Sequence, residues 1–239
     1  MKVQLFIPCF VDQLYPQTAF NRVKVLEKAG CIVNYNPNQT CCGQPAFNAG
    51  FLNEAKEVCT KFINDFDNED YIVAPSASCV GFVRNYYLKI FEDAAAHNQV
   101  KKMSKRIFEF SEFLVDILKI ENFGASFNGI ATYHDSCAAL RECNIKQAPR
   151  KLLSHVKGLQ LVEMKEVETC CGFGGSFAVK FDSISIGMAD QKINNANLTK
   201  AEYIISTDLS CLMHLDGFIK GKHATLKTMH IADVLASGW

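Results

Sequence analysis

Apolar residues fall in a recurring order along this chain. Short unbroken runs alternate with stretches in which apolar positions return every three or four residues. The runs predict buried strands and the spaced stretches predict amphipathic helices. Val3 to Pro8 is the first run. Residues 16–29 follow, with Phe20, Val23 and Leu26 at helical spacing and Gly30 as a stop. Cys31 to Tyr35 predicts a second strand. A helix is expected from about Gly50, with Leu52, Ala55, Cys59, Phe62, Ile63 and Phe66 on one face. Tyr71 to Ala74 predicts a third strand and residues 81–95 another helix. Ala94 to Lys105 reads as a polar separator. Arg106 to Leu118 reads as a helix striped by Phe110, Phe113, Leu114 and Ile117.

The same order then begins again. Gly129 to Tyr133 predicts a strand, 148–157 a helix stopped by Gly158, and Leu159 to Met164 a strand. One long helix is expected within 176–198, then a strand from Tyr203 to Ser206. Thr228 to Leu235 echoes Phe108 to Leu114. Strands alternating with helices predict parallel pairing. The expected fold is α/β: two tandem similar domains, residues 1–122 and 123–239, each a small, mainly parallel sheet flanked by helices. Residues 119–128, with Gly124 and Gly129 as breakers, form the expected connection.

Cysteines sharpen this picture. Thr-Cys-Cys-Gly occurs twice, at 40–43 and 169–172. Each pair has one cysteine well upstream and one well downstream: Cys9 and Cys79 for the first, Cys137 and Cys211 for the second. Matched cysteines are separated by 128, 129, 129 and 132 residues, which points to duplication. Each cysteine follows an expected strand. Open parallel sheets gather ligands at their strand carboxyl ends, so four distant cysteines can converge there. The chain therefore reads as two four-thiol cages: Cys9, Cys41, Cys42 and Cys79, then Cys137, Cys170, Cys171 and Cys211. Cys31, Cys59 and Cys143 read as core residues.

Thiolates hold zinc, copper(I) or iron–sulfur clusters, and four of them suit a tetrahedral zinc ion or a four-iron cluster. Each Cys-Cys-Gly precedes an expected helix, whose N-terminal dipole favours negative sulfur. Gly-Phe-Gly-Gly at 172–175 fits no phosphate-loop pattern. No flavin or nicotinamide fingerprint is present, so isolated dehydrogenase activity is not expected, and iron–sulfur clusters in the cages would pass electrons one at a time. A zinc-holding scaffold and thiol–disulfide chemistry at the paired cysteines are the competing readings.

Composition narrows the setting. Among 239 residues, 49% are hydrophobic and 21% charged, as in a globular protein with a sizeable core. With 25 basic and 25 acidic residues and no long basic run, nothing marks a nucleic-acid surface. No apolar run approaches the roughly 18 residues that span a bilayer. The apolar start, Met1 to Cys9, lacks a small-residue cleavage site and reads as a strand, not a signal peptide. A cytoplasmic location is expected. Eleven cysteines in a reducing compartment point to metal or redox work.

These motifs resemble the cysteine-rich CCG domain family. The family occurs in duplicate in the heterodisulfide reductase B subunit, in glycolate oxidase and glycerol-3-phosphate dehydrogenase iron–sulfur subunits, and in the lactate utilisation A group, to which the likeness is nearest. It is carried by Pro8-Cys9-Phe10-Val11-Asp12, Thr40-Cys41-Cys42-Gly43-Gln44-Pro45-Ala46, Tyr133-His134-Asp135-Ser136-Cys137, Cys170-Cys171-Gly172-Phe173-Gly174-Gly175, and Ser206-Thr207-Asp208-Leu209-Ser210-Cys211-Leu212-Met213-His214. The resemblance implies a cytoplasmic iron–sulfur subunit, with up to two four-iron clusters, of a complex that oxidises L-lactate to pyruvate. It implies two further subunits as partners, one of them an iron–sulfur protein. The family's fullest form has a fifth thiol per site. Here Ser76 and Asp208 stand in that place, and both sites are expected to hold the same kind of four-thiolate centre. His134 and Asp135 are candidates for an acid–base pair, Arg141 for a carboxylate clamp, and His214 for an alternative ligand.

Overall fold

The computed structural model describes residues 1–91, 93–222 and 225–239. Strands β1 (Lys2–Leu5), β2 (Ile32–Tyr35), β3 (Tyr71–Ala74) and β4 (Ile107–Glu109) form one sheet in the order β2-β1-β3-β4. Strands β5 (Ser126–Tyr133), β6 (Lys157–Leu161), β7 (Tyr203–Ser206) and β8 (Lys227–His230) form a second sheet in the matching order β6-β5-β7-β8. Every pairing is parallel, with Leu5 opposite Val73 and Tyr133 opposite Ile205. The order reverses between β1 and β3, and again between β5 and β7. Those reversals leave a crevice at the strand carboxyl ends.

Helices cover the sheets. In the first half they are α1 (Cys9–Leu14), α2 (Pro16–Lys28), α3 (Gln44–Ala49), α4 (Leu52–Asp65), α5 (Ala77–Ile90), α6 (Ala94–Ser104) and α7 (Phe110–Glu112). In the second they are α8 (Cys137–Arg141), α9 (Gln147–Ser154), α10 (Ser176–Lys180), α11 (Asp182–Asn197), α12 (Leu209–Gly221) and α13 (Ile231–Leu235). None is long and apolar enough to cross a membrane among the described residues.

Several expectations need correction. The supposed separator at 94–105 is α6. Asp93 accepts from the Ala96 N–H at 2.7 Å to cap it, and Val100 and Met103 bury its inner face. Phe110, Phe113 and Leu114 of the expected stripe are buried and Ile117 is half-buried, but the segment opens as a strand, β4, and ends in a π-helical turn over Phe113–Ile117. Gly158 does not stop a helix; it lies inside β6 with φ +83. The helix expected over 176–198 breaks at Phe181 into α10 and α11.

The halves share one core. A continuous cluster of buried apolar residues runs from Val3, Leu5 and Val25 to Tyr133, Ile205 and Val234. A smaller cluster, including Phe6, Phe62 and Tyr87, belongs to the first half. Polar contacts also cross the junction. Thr18 and Asn21 on α2 donate to Asp233 on α13, each at 2.9 Å. His230 caps α13 by accepting from the Ala232 N–H at 3.1 Å, and its other ring nitrogen meets Pro75 O and Thr207 O at 3.1 Å. Ser76 donates to Asp208 at 3.3 Å, and the Ser78 N–H reaches the other Asp208 oxygen at 3.2 Å. The two positions that lack the fifth thiol thus touch across the junction.

Candidate functional site

Cys9 opens α1 just beyond β1. Gln39 brings the first pair beside it. Its side chain accepts from the Ile7 N–H at 2.7 Å and donates to Leu5 O at 3.0 Å, pinning the loop before Cys41 to the end of β1. Cys79 lies in the first turn of α5. The Cys42 and Cys79 sulfurs stand 3.3 Å apart, and the Gly43 N–H points at Cys41 Sγ at 3.4 Å. The Cys9 thiol lies beside that of Cys41, and Cys41 beside Cys42, close enough for each to perturb the other's proton. Four thiols therefore form one connected cluster. Behind it, the Tyr87 hydroxyl holds Cys42 O at 2.7 Å, and Cys59 Sγ approaches the same carbonyl.

The second cluster repeats this plan. Cys137 opens α8, and Cys211 lies in the first turn of α12. The Cys137 thiol lies beside Cys170, Cys170 beside Cys171, and the Cys171 and Cys211 sulfurs are within 4.8 Å of each other. The Gly172 N–H points at Cys170 Sγ at 3.4 Å. Lys192 fixes the loop before the pair by donating to Glu166 O at 2.9 Å and Val167 O at 3.1 Å. His134, at the end of β5, brings a ring nitrogen within 4.8 Å of the Cys171 and Cys211 sulfurs.

In each cluster two sulfurs are buried, Cys42 with Cys79 and Cys171 with Cys211. The other two lie nearer solvent: Cys9 and Cys41, then Cys137 and Cys170. All eleven cysteines are free thiols. The 3.3 Å separation of Cys42 and Cys79 is a hydrogen-bond distance, far from the roughly 2.0 Å of a disulfide.

Crowding makes protons unequal. Cys170 is pulled well down by hydrogen bonds from Cys137 and then Cys171. Cys137 and Cys171 are correspondingly raised, first by their bonds to Cys170. Cys9 is raised by its bond to Cys41 and by burial. Two thiolates 3.3 Å apart repel by about 5 kcal/mol at an effective dielectric of about 20. A fully deprotonated cluster thus calls for a cation between the sulfurs. Cys79 and Cys211 also sit in the first turns of 14- and 13-residue helices, where the N–H field favours negative sulfur. The donor sets fit a thiophilic metal centre.

The other sequence candidates separate. Asp135 is buried and bound by Arg150 through two hydrogen bonds of 2.9 Å, while Arg150 also holds Glu163. His134 makes no bond to it. Burial, aided by Lys192, pushes His134 down to about 3 and keeps it neutral. Arg141 ends α8 on the surface. His214 lies within α12, bonded to the Ser185 hydroxyl at 3.2 Å, and lines a largely apolar cavity of about 510 Å³ with Phe173, Ile186 and Met213. Gln39, Tyr87 and Lys192 were not singled out from the sequence. A lysine among Ala189, Ile193 and Ala196 on a buried helix face was the available signal for the last.

The cysteine-rich domain family (CCG) matches residues 3–84 and 131–216, one match per half. Lactate utilization protein A from Geobacillus kaustophilus (strain HTA426) is 42% identical over 235 residues, covering 98% of each chain. The protein of that name from Bacillus cereus (strain G9842) is 41% identical over 237 residues, covering 99% of each. That from Oceanobacillus iheyensis is 40% identical over 235 residues, covering 98% of this chain and 96% of its own. A crystal structure of a hypothetical protein from Helicobacter pylori shares the fold, with a TM-score of 0.59 at 13% identity; the match covers 98% of this chain and 48% of that one. With both halves matched and these relatives aligned over nearly their whole length, the chain belongs to the cysteine-rich CCG domain family and, within it, to the lactate utilization protein A group.

Proposed function

We propose that this chain is an iron–sulfur electron-transfer subunit of a complex that oxidises L-lactate to pyruvate, with one metal centre in each thiol cage. The reading is carried by one observation: two four-thiol clusters, each at the carboxyl ends of a parallel sheet, in a chain about 40% identical to lactate utilization protein A over its length. Cys9, Cys41, Cys42 and Cys79 hold the first centre. Cys137, Cys170, Cys171 and Cys211 hold the second. A four-iron cluster, when bound, supplies one-electron transfer. The buried sulfurs anchor each centre, while the pairs nearer solvent give electrons a short path to a partner's surface. Two further subunits, one of them an iron–sulfur protein, supply the lactate site and the acceptor in the cytoplasm.

Anaerobic purification of the full chain tests this. Iron with acid-labile sulfide and a visible band bleached by reductant are expected. Cys42→Ser should remove one centre and Cys171→Ser the other. A colourless protein carrying one or two zinc ions overturns the relay and favours a scaffold. A metal-free chain that reduces a disulfide favours thiol chemistry instead.

A further inference from the structure

The two cages are backed by different residues. Phe6 and His134 occupy matched positions, each three residues before the first cysteine of its cage. Phe62 and Lys192 are also matched, each on the buried face of the long helix after a Cys-Cys-Gly turn. The faces align as Ala55, Cys59, Phe62 and Ile63 in α4 against Ser185, Ala189, Lys192 and Ile193 in α11. Phe6 and Phe62 meet edge to face at 4.8 Å between ring centres. An apolar aromatic pair thus stands behind the first cage, and an imidazole with an ammonium behind the second.

Lys192 is satisfied by two carbonyls. His134 is not satisfied. Its ring is fully buried, and neither ring nitrogen has a partner among the described residues. Its backbone is held on both sides, donating to Ile205 O at 2.8 Å and accepting from the Ser206 hydroxyl at 2.9 Å. The backbone that carries the ring is thereby fixed at the end of β5. A buried polar group left unpaired costs about 1–3 kcal/mol, so an unpartnered imidazole at this place calls for an occupant. The group nearest to hand is the cage, with a His134 nitrogen and the Cys171 and Cys211 sulfurs within 4.8 Å of one another. Metal bonds of about 2.0–2.3 Å place tetrahedral donor atoms about 3.3–3.8 Å apart. A small contraction closes the difference.

We infer that His134 is a nitrogen ligand of the centre held by the second cage. That cage then offers four sulfurs and one nitrogen, while Phe6 leaves the first with sulfur alone. The two centres are different in kind. The inference rests on reading the cages as metal sites, and its test does not depend on which metal is native.

The test uses cobalt(II) bound anaerobically to the reduced, metal-free full chain. Cys42→Ser/Cys79→Ser disables the first cage, and Cys171→Ser/Cys211→Ser the second. Cobalt X-ray absorption should show imidazole scattering when only the second cage is intact, and sulfur alone when only the first is. Adding His134→Phe to the first variant should abolish the nitrogen signal and weaken cobalt binding at least tenfold. The spectrum with His134 in place decides even if that substitution fails to fold. Cobalt bound in the second cage by sulfur alone overturns the His134 assignment and leaves the metal reading standing. No cobalt bound there overturns both.

Discussion

Gly172 turns the chain at φ +94, and a Cβ there lies 2.6 Å from the carbonyl oxygen of Ser185. Gly43 holds the matched turn at φ +90, but its closest neighbour is the Cys59 sulfur at 2.8 Å, a side chain that can rotate. Gly172→Ala should therefore cost about 2–3 kcal/mol and Gly43→Ala about 1–2 kcal/mol. Urea unfolding of the reduced, metal-free chains measures both, and equal losses would show that the backbone contact is not the cause. Residues of this kind were legible beforehand, because Cys-Cys-Gly occurs twice and carries its own explanation. Adjacency suggested instead an acid–base pair of His134 with Asp135, which the fold does not make. Asp135 is claimed by Arg150, fifteen residues on, through a contact that only the folded β5–α9 arrangement creates. His134 was left facing the cage by that same arrangement, and adjacency in sequence gave no hint of it.

Among the elements, the third sheet pairing in each half escaped the hydrophobic pattern. β4 has three residues and β8 four, too few for alternation to stand out beside the helical stripe that follows. Their last residues matter more than their length. Glu109 caps α7 and His230 caps α13. His230 accepts at one nitrogen and donates at the other, which requires the neutral ring. Burial pushes it down to about 4, with Asp233 opposing and Arg22 adding to the shift. The unfolded chain binds a proton near pH 6.5 and the folded chain does not until about 4, so stability rises with pH across that window and is lost as pH falls through it. At pH 5 the loss is on the order of 2 kcal/mol. His230→Asn keeps a capping side chain and removes the titration. The difference between wild type and variant, followed by urea midpoints from pH 7 to 5, should shrink on acidification. A constant difference rejects the role of His230. Glu109, raised to about 8 by burial, acts with the opposite sign, which is why the difference and not the wild-type curve is diagnostic.

At the scale of the molecule, duplication was readable from the cysteine offsets, and the parallel sheets from the order of runs. The depth of the junction was not, since it depends on which faces meet. One buried cluster passes through both halves, and Arg22, Glu109, Asp208 and His230 lie fully buried near it. Unfolding should accordingly be a single cooperative step, with calorimetric and van't Hoff enthalpies in agreement. Two separated transitions would mean that the junction opens on its own. The contact of Thr18 and Asn21 with Asp233 has a further meaning for how the protein comes into being. Thr18 precedes Asp233 by 215 residues, so at 5–20 residues per second α2 waits roughly 10–40 s for the helix that covers it. All four thiols of the first cage have left the ribosome well before then. The nascent chain passes through a period in which one cage can already fill while the face beside it is bare, and the last helix acts as a latch that ends it.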